Sequence, residues 1–409
     1  MKFAALGLSA PLLETLDELG YEHATPVQEA SIAPLLAGRD LWASARTGSG
    51  KTAAFVLPIL ERLRPDAVVQ ALIVVPTREL AVQIGQSIAR YGRHLDIATC
   101  VAVGGAPIER QLDALANGAQ VVVATPGRLL DLRAQGALDF AALETLVLDE
   151  ADRLLALGFH DELTTLQTQL PTELQRVLFS ATFPPKVVAL AELILRDPTR
   201  INLDSGAAPG ADLIEQRVIE VDERARGRLL LHLLQVHAWQ QLLVFVASRR
   251  AADELAHELS CAGFRAWPLH GELGQDARNQ TLADFKARRF QVLVATDLAA
   301  RGLDIAQLPA VLNFDLPRSA ADYTHRIGRT GRAGAAGVAI SFISANNAGH
   351  FRLIEKRHRL QLEREQVAGF EPRELTPPVR DVNGGIKGKR KSKKDKLREA
   401  KRPGHPNAD

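Results

Sequence analysis

Short runs of Val, Leu, Ile and Ala alternate with longer stretches of mixed apolar and charged residues along most of the chain. Unbroken apolar runs of that kind predict strands buried on both faces, and the longer stretches predict the helices that cover them. In the first half the predicted strands are residues 71–75, 120–124, 145–148 and 176–179; in the second they are 241–246, 291–295, 310–314 and 338–343. A Gly/Ala/Pro/Ser stretch at 205–211 interrupts the alternation and predicts a flexible linker. The expected fold is therefore α/β, two tandem domains that are each a parallel sheet flanked by helices. The expected divisions are a first domain at 1–204, a linker at 205–212, a second domain at 213–350, a closing helix and turn at 351–375, and a tail at 376–409.

A polar motif follows each predicted strand of the first half: residues 76–81 (Pro-Thr-Arg-Glu-Leu-Ala), 125–128 (Thr-Pro-Gly-Arg), 149–152 (Asp-Glu-Ala-Asp) and 180–182 (Ser-Ala-Thr). Ligands of parallel sheets sit beyond the carboxyl ends of the strands, so this common placement predicts a functional rim. In the second half Ser248-Arg249, Thr296-Asp297 and Asp315 hold the equivalent places.

The length of 409 residues exceeds what one core usually supports, and a hydrophobic content of 46% excludes general disorder. Cys100 and Cys261 are too few for a disulfide framework or a zinc site, so a reducing compartment, the cytoplasm, is expected. Glu14, Asp17 and Glu18 interrupt the apolar content of the N-terminal segment, so no secretory leader is expected there. No apolar run approaches the roughly 18 residues of a membrane span.

The net charge of +2 conceals a partition. Residues 380–409 hold 11 Lys or Arg against four Asp or Glu, which leaves the preceding 379 residues at 39 basic against 44 acidic. Too polar to bury a core, the segment is expected to be disordered. It is either a solubilising appendage or an arm that binds RNA by releasing counterions, without sequence preference.

Residues 45–52 carry the clearest chemistry: Ala45, Arg46, Thr47, Gly48, Ser49, Gly50, Lys51 and Thr52. Gly48 and Gly50 let the backbone turn its N–H groups toward phosphate oxygens, Lys51 adds a point charge, and the Thr52 hydroxyl can ligate magnesium. Asp149 would hold the same ion, partly through water, and Glu150 would orient a water molecule. Each half alone has a bland alternative, a chance Gly-rich turn or a solvated acidic turn. Lysine usage adds a hint, since residues 1–379 hold 34 Arg and only five Lys, one of them Lys51. A compact ammonium was needed there rather than a planar fork.

The second half has no phosphate loop of its own, so it is expected to complete the first domain's site from across a cleft. Residues 325–332 read His-Arg-Ile-Gly-Arg-Thr-Gly-Arg. The alternative is a surface helix with ordinary charges, but Gly328 and Gly331 argue against a plain helix. Arg329 and Arg332 are the candidates for stabilising transition-state charge from the second domain. Asp304 could accept from a ribose hydroxyl, and Arg301 could pair with an acidic interface group or make a buried structural ion pair. Thr77, Arg78, Gly105, Thr125, Gly127 and Arg128 offer hydroxyls, backbone N–H groups and guanidinium forks that suit a sugar-phosphate backbone better than base edges.

These motifs, in this order over residues 3–345, resemble those of DEAD-box ATP-dependent RNA helicases of superfamily 2, and the short body with a basic tail looks most like the bacterial RhlE type. Phe3, Gly20 and Thr25-Pro26-Val27-Gln28 are similar to the family's adenine-sensing motif, and Ala at position 45 is normal for its phosphate loop. The resemblance implies two RecA-like domains that close on ATP and RNA, with ATP and Mg2+ as cofactors. It implies that Phe3 stacks on the adenine and Gln28 reads it, and that Pro76, Thr77, Arg78, Gly105, Thr125, Gly127, Arg128, Arg278 and Thr296 contact RNA. Ser180, Thr182, Arg301 and His325 would couple the domains. A locally melted duplex would be the product of closure, and hydrolysis the reset; an ATP-gated clamp on RNA and a DNA-directed motor are the alternatives. Ribosome-assembly or RNA-decay proteins are the expected partners of a monomeric protein with no membrane association. Two positions depart from the family's usual residues: Ala24 where it has Pro, and Ala156 where it has Asp.

Overall fold

The computed structural model describes residues 1–45, 48–66, 68–203, 214–300, 308–331, 336–358 and 360–373. The first sheet comprises β1 (Leu41–Ser44), β2 (Ala71–Val74), β3 (Thr99–Ala102), β4 (Val121–Ala124), β5 (Thr145–Leu148), β6 (Gln175–Ser180) and β7 (Thr199–Asn202). The second comprises β8 (Ile214–Glu220), β9 (Leu242–Val246), β10 (Ala266–Leu269), β11 (Val292–Thr296), β12 (Ala310–Asn313), β13 (Gly337–Ile343) and β14 (Arg364–Glu365). The orders are β3-β4-β2-β5-β6-β1-β7 and β10-β11-β9-β12-β13-β8-β14, so the second sheet repeats the strand order of the first. Every pairing between these strands is parallel.

Strand alternation explains why these runs are apolar throughout. Ile73, Val123, Val147 and Val177 point into one core, while Leu72, Val122, Leu146 and Leu178 point into another across the sheet. The second sheet divides the same way, with Val244, Val294 and Leu312 on one face and Leu243, Leu293 and Val311 on the other. All eight strands expected from apolar runs are present, with ends shifted by a residue or so. The others, β1, β3, β7, β8, β10 and β14, lie at or next to a sheet edge. There one face meets solvent or polar neighbours, and sequences such as Ile-Glu-Gln-Arg-Val-Ile-Glu in β8 carry no unbroken apolar run. Among the described residues no helix is long and apolar enough to cross a membrane.

The expected linker at 205–212 and tail at 376–409 lie outside the described residues. The closing helix runs Ala348–His358, starting three residues before the expected boundary. Beyond it the chain returns to the sheet as β14 on β8, where an irregular turn was expected. Arg217 on β8 grips Glu365 with Nε at 3.0 Å and Nη2 at 2.7 Å, and Val367 and Phe370 pack against the core that holds Leu230 and Leu234. The Arg373 amide donates to Asp222 at 2.9 Å. This strap covers a sheet edge that would otherwise be open to pairing.

Phe351 on the closing helix is fully buried and meets Tyr323 edge-on at 5.8 Å; Tyr323 lies on the helix Ala320–Ile327 that carries His325. Phe351→Ala is expected to destabilise the second domain by about 3–5 kcal/mol. Urea unfolding followed by a probe in each domain should show the second domain's transition moving to lower denaturant and the first domain's staying in place.

Candidate nucleotide and nucleic-acid site

The phosphate loop lies where β1 leaves the sheet. Ala45 is buried and its amide donates to Ser180 O at 3.1 Å, which fixes the loop's start beside the end of β6. Gly48 and Gly50 have φ of 82° and 94°, the left-handed region that favours glycine, and helix Lys51–Arg62 begins directly after them. A Cβ on Gly50 would stand 2.5 Å from Gln28 Nε2, so the Gln28 side chain lies flat against the loop. Its Nε2 donates to Gly50 O at 3.1 Å and its Oε1 accepts from the Thr25 amide at 2.8 Å. Both amide atoms of Gln28 are thus engaged by protein here, which couples the loop to the Thr25 end of helix Pro26–Leu36. Phe3 is 4% exposed in the first core, leaving little ring surface for a stacked base. Ser49 sits in the turn and Thr52 in the first helical turn; Arg46 and Thr47 lie outside the described residues.

Lys51 Nζ is 3.7 Å from Asp149 Oδ1, and both side chains are buried. At that distance the pair is ionic without a hydrogen bond, and the ammonium has no hydrogen-bond partner among the described residues. A buried ammonium of that kind beside a backbone cradle fits a polyphosphate. Burial pushes Asp149 above the usual carboxylate range, against the pull of Lys51. Burial penalises the Glu150 charge too, but Arg153, Lys51, His325 and Arg329 together hold its carboxyl below the ordinary value. Glu150 Oε2 meets Arg153 Nη1 at 3.2 Å, and its backbone is left-handed with φ of 53° and ψ of 50°. A non-glycine residue held there costs about 1–3 kcal/mol, a cost that concentrates at functional sites. The Asp149 carboxylate and the Thr52 hydroxyl are hard oxygen donors of the kind Mg2+ takes.

The neighbouring Asp152 is a junction. Its amide donates to Ser180 Oγ at 3.2 Å, Ser180 Oγ donates to Thr182 O at 2.7 Å, and Thr182 Oγ1 donates to Asp152 Oδ2 at 2.7 Å. His325 Nε2 of the second domain approaches the same Oδ2 to 3.9 Å. That is an electrostatic contact, too long for a hydrogen bond. Burial would raise the Asp152 carboxyl, but the facing His325, the Thr182 hydroxyl and Lys51 pull it well below the usual range. A second contact across the domains joins Arg278 Nη2 to Glu79 Oε1 at 2.7 Å.

The arginines of residues 325–332 have separate fates. Arg326 is a structural residue, donating to both oxygens of Asp297 at 2.6 and 2.8 Å, to Asn313 Oδ1 at 3.0 Å and to Asp315 O at 2.6 Å. Arg329 is 5% exposed and close enough to Glu150 to stabilise its charge. The helix ends at Ile327 and Gly331 has φ of 63°, so the glycines do break it. Arg332, Arg301 and Asp304 lie outside the described residues.

On the first domain's rim, Thr77 caps helix Arg78–Tyr91 by accepting from the Leu80 amide at 3.3 Å. Pro76 is buried and Arg78 exposed. Arg78 packs over Gly105, whose φ is 74° and whose added Cβ would fall 2.1 Å from Nη1. Thr125 precedes helix Pro126–Ala134, Gly127 is open above its first turn, and Arg128 donates to Gln111 Oε1 at 3.0 Å. Two helix N-termini therefore face the rim, one beside the exposed Arg78 and the other beside the largely buried Arg128, a setting for phosphate. Thr296 ends β11 and is buried. Arg278, expected on RNA, pairs with Glu79 across the domains. The partners Glu79, Asp152 and Arg153 had no role assigned from the sequence, because each acts through a contact that only the fold creates.

A sheet whose first strand feeds a phosphate loop, facing a like-ordered sheet that lends it an arginine, is the build of tandem RecA-like domains in nucleoside-triphosphate-driven proteins. Residues 25–190 match the DEAD/DEAH box helicase family and residues 225–334 the helicase conserved C-terminal domain. The DEAD-box ATP-dependent RNA helicase CshA of Streptococcus pneumoniae is 41% identical over 373 residues, covering 91% of this chain and 70% of the relative. The ATP-dependent RNA helicase DeaD of Escherichia coli is 40% identical over 371 residues, 90% of this chain and 59% of the relative. The solved structure of S. cerevisiae Dbp5 bound to RNA and ADP BeF3 superposes with a TM-score of 0.81 at 33% identity, covering 89% of this chain and 95% of that one. The chain belongs to the DEAD/DEAH box helicase family.

Burial pushes the His325 imidazole below its ordinary value, more strongly than Asp152 raises it. The contact between domains is therefore complete above about pH 6.5. It weakens as pH falls below that value, because the separated state takes up a proton that the buried ring refuses. The depressed Asp152 acts in a lower window, losing its contribution only below the ordinary carboxylate range, near pH 4. Energy transfer between dyes on the two domains should report opening between about pH 7 and 5, and His325→Asn should flatten that change. Identical profiles for the two proteins would show that the ring does not titrate in the contact.

Proposed function

We propose that this protein is an RNA-stimulated ATPase that closes two domains on ATP and RNA, bends one strand, separates short duplexes, and reopens after hydrolysis. The observation that carries the proposal is the meeting of Lys51, Asp149 and Glu150 of one domain with Arg329 of the other. The proposed domains are 1–204 and 213–350, joined by 205–212.

In this proposal the backbone around Gly48 and Gly50 wraps the phosphates, and Lys51 brings its ammonium, which has no hydrogen-bond partner among the described residues, to the terminal ones. Thr52 and Asp149 hold Mg2+, which when bound neutralises charge developing on the phosphate oxygens. Glu150, kept as a carboxylate by its cationic neighbours, orients the water whose oxygen bonds to the γ-phosphorus. The bond from that phosphorus to the ADP oxygen breaks, and Arg329 with Arg332 stabilises the charge that spreads in the transition state. Phe3 and Gln28 serve the adenine once Gln28 releases one of its protein partners, and Asp304 serves the ribose. Pro76, Thr77, Arg78, Gly105, Thr125, Gly127, Arg128 and Thr296 hold the sugar-phosphate backbone, and 2′-hydroxyl contacts favour RNA over DNA. Ser180, Thr182 and His325 relay closure through Asp152, with Arg301 at the same interface.

Arg329→Ala should lower RNA-stimulated turnover by about 10^3 while the fold survives. The test is steady-state phosphate release with no nucleic acid, with single-stranded RNA and with DNA of the same sequence, beside a short-duplex displacement assay. Equal stimulation by DNA would defeat the RNA assignment, and strong stimulation without displacement would make the protein a clamp. Deleting residues 380–409 should weaken RNA affinity and flatten its salt dependence; unchanged binding from low to moderate salt would leave that segment a solubiliser.

A further inference from the structure

The outer edge of the second sheet carries a cluster of side chains that the cleft does not use. Trp267 lies on β10, the outermost strand, and is 50% exposed. Its ring centroid is 5.4 Å from that of buried Phe290, which in turn is 5.3 Å from Phe285. An open indole is thus backed by a rigid aromatic pair. The segments flanking it carry four exposed cations: Arg265 before β10, and Lys286, Arg288 and Arg289 at and after the end of helix Gln275–Lys286, the segment that leads into Phe290. Arg265 Nη1 donates to Arg289 O at 2.7 Å and draws the two segments together. Asp284 pairs with Arg289 at 2.6 Å.

Basic residues and a proline such as Pro268 guard edge strands against pairing, but such a guard has no need of an exposed indole. Nor does it explain Arg288, whose φ of 57° puts a cation just past a helix end, where glycine is the low-cost residue. Arg278, which faces the first domain, and Lys286 lie on one helix about 12 Å apart along its axis, so a strand leaving the cleft can reach this edge.

We propose that this edge is an accessory binding surface for single-stranded RNA, with a base stacked on Trp267 and phosphates taken by Arg265, Arg288 and Arg289. Stacking platforms flanked by cations hold single strands without sequence preference. An acidic peptide could meet the cations, but the open ring face favours a base. The inference rests on RNA being the ligand of the cleft, and the test separates the two.

Binding is read by anisotropy with labelled oligouridylates of about 10 and about 40 nucleotides, using the full chain and a non-hydrolysable ATP analogue. Trp267→Ala should bind the longer RNA about tenfold more weakly and the shorter one normally. Its turnover at saturating short RNA should equal that of the unaltered protein. Arg288→Gly should raise the melting temperature, weaken the longer RNA and lower its salt slope by about 1, a combination that a structural role would not produce. Unchanged long-RNA affinity in both variants would overturn the proposal. So would indole quenching by oligoglutamate but not by RNA, which would make the edge a docking face for acidic peptides. If short RNA neither bound nor stimulated the unaltered protein, the RNA assignment of the cleft would fall first, and this surface with it.

Discussion

Several charged groups of the first domain are also approached by side chains of the second. Arg278 meets Glu79, the His325 ring faces Asp152, and Arg329 adds to Arg153 and Lys51 in stabilising the charge of Glu150. A buried charge without a partner is costly, so each of these groups must be either solvated with the domains apart or matched with them together. Intermediate separations, which remove water without supplying the partner, are disfavoured. The interface is thereby biased toward two discrete arrangements, and a ligand that stabilises one shifts the population between them. Lys51 stands apart, since its charge is matched within the first domain by Asp149 while its ammonium keeps its hydrogen-bonding capacity unused among the described residues.

The two sheets share a strand order and differ at the rim. In the first, β1 leads into a glycine-bearing loop whose backbone faces phosphate. In the second, β8 holds the same place but runs into Asp222 and Glu223, whose negative charge would repel phosphate. The first domain therefore supplies a cradle and the second supplies Arg329 from the turn beyond the Ala320–Ile327 helix. Arg326 anchors that helix to β11 and β12 through Asp297 and Asn313, so Arg329 projects from a fixed base.

The fold was legible wherever burial on both faces forces an unbroken apolar run, as in β2, β4, β5, β9 and β11. It was illegible at the edges, where β3 is a four-residue strand buried only at alternate positions, β7 reads Thr-Arg-Ile-Asn with a single apolar residue, and β14 is only two residues long. The candidate site was legible through local chemistry, because Gly48, Gly50 and Lys51 form one short motif, Asp149 and Glu150 another, and each residue type carries its own constraint. Pairings between distant segments left no trace. Glu79 and Arg278 stand in separate motifs, and Gln28 as the brace of Gly50 becomes visible only when a helix from the N-terminal segment packs beside the loop. The same holds for Arg326, whose side chain looks like its neighbours' in sequence but turns inward.

The strap that closes the second sheet has a geometric consequence for everything beyond it. Because β14 runs parallel to β8, the chain passes from its two strand residues toward the carboxyl ends of the strands, where the Arg373 amide is held by Asp222. Residue 373 is thus moored at the rim rather than on the far side of the domain. A ligand-binding group tethered from such a point meets the rim at a local concentration set by the length of the leash instead of by how much protein is in solution.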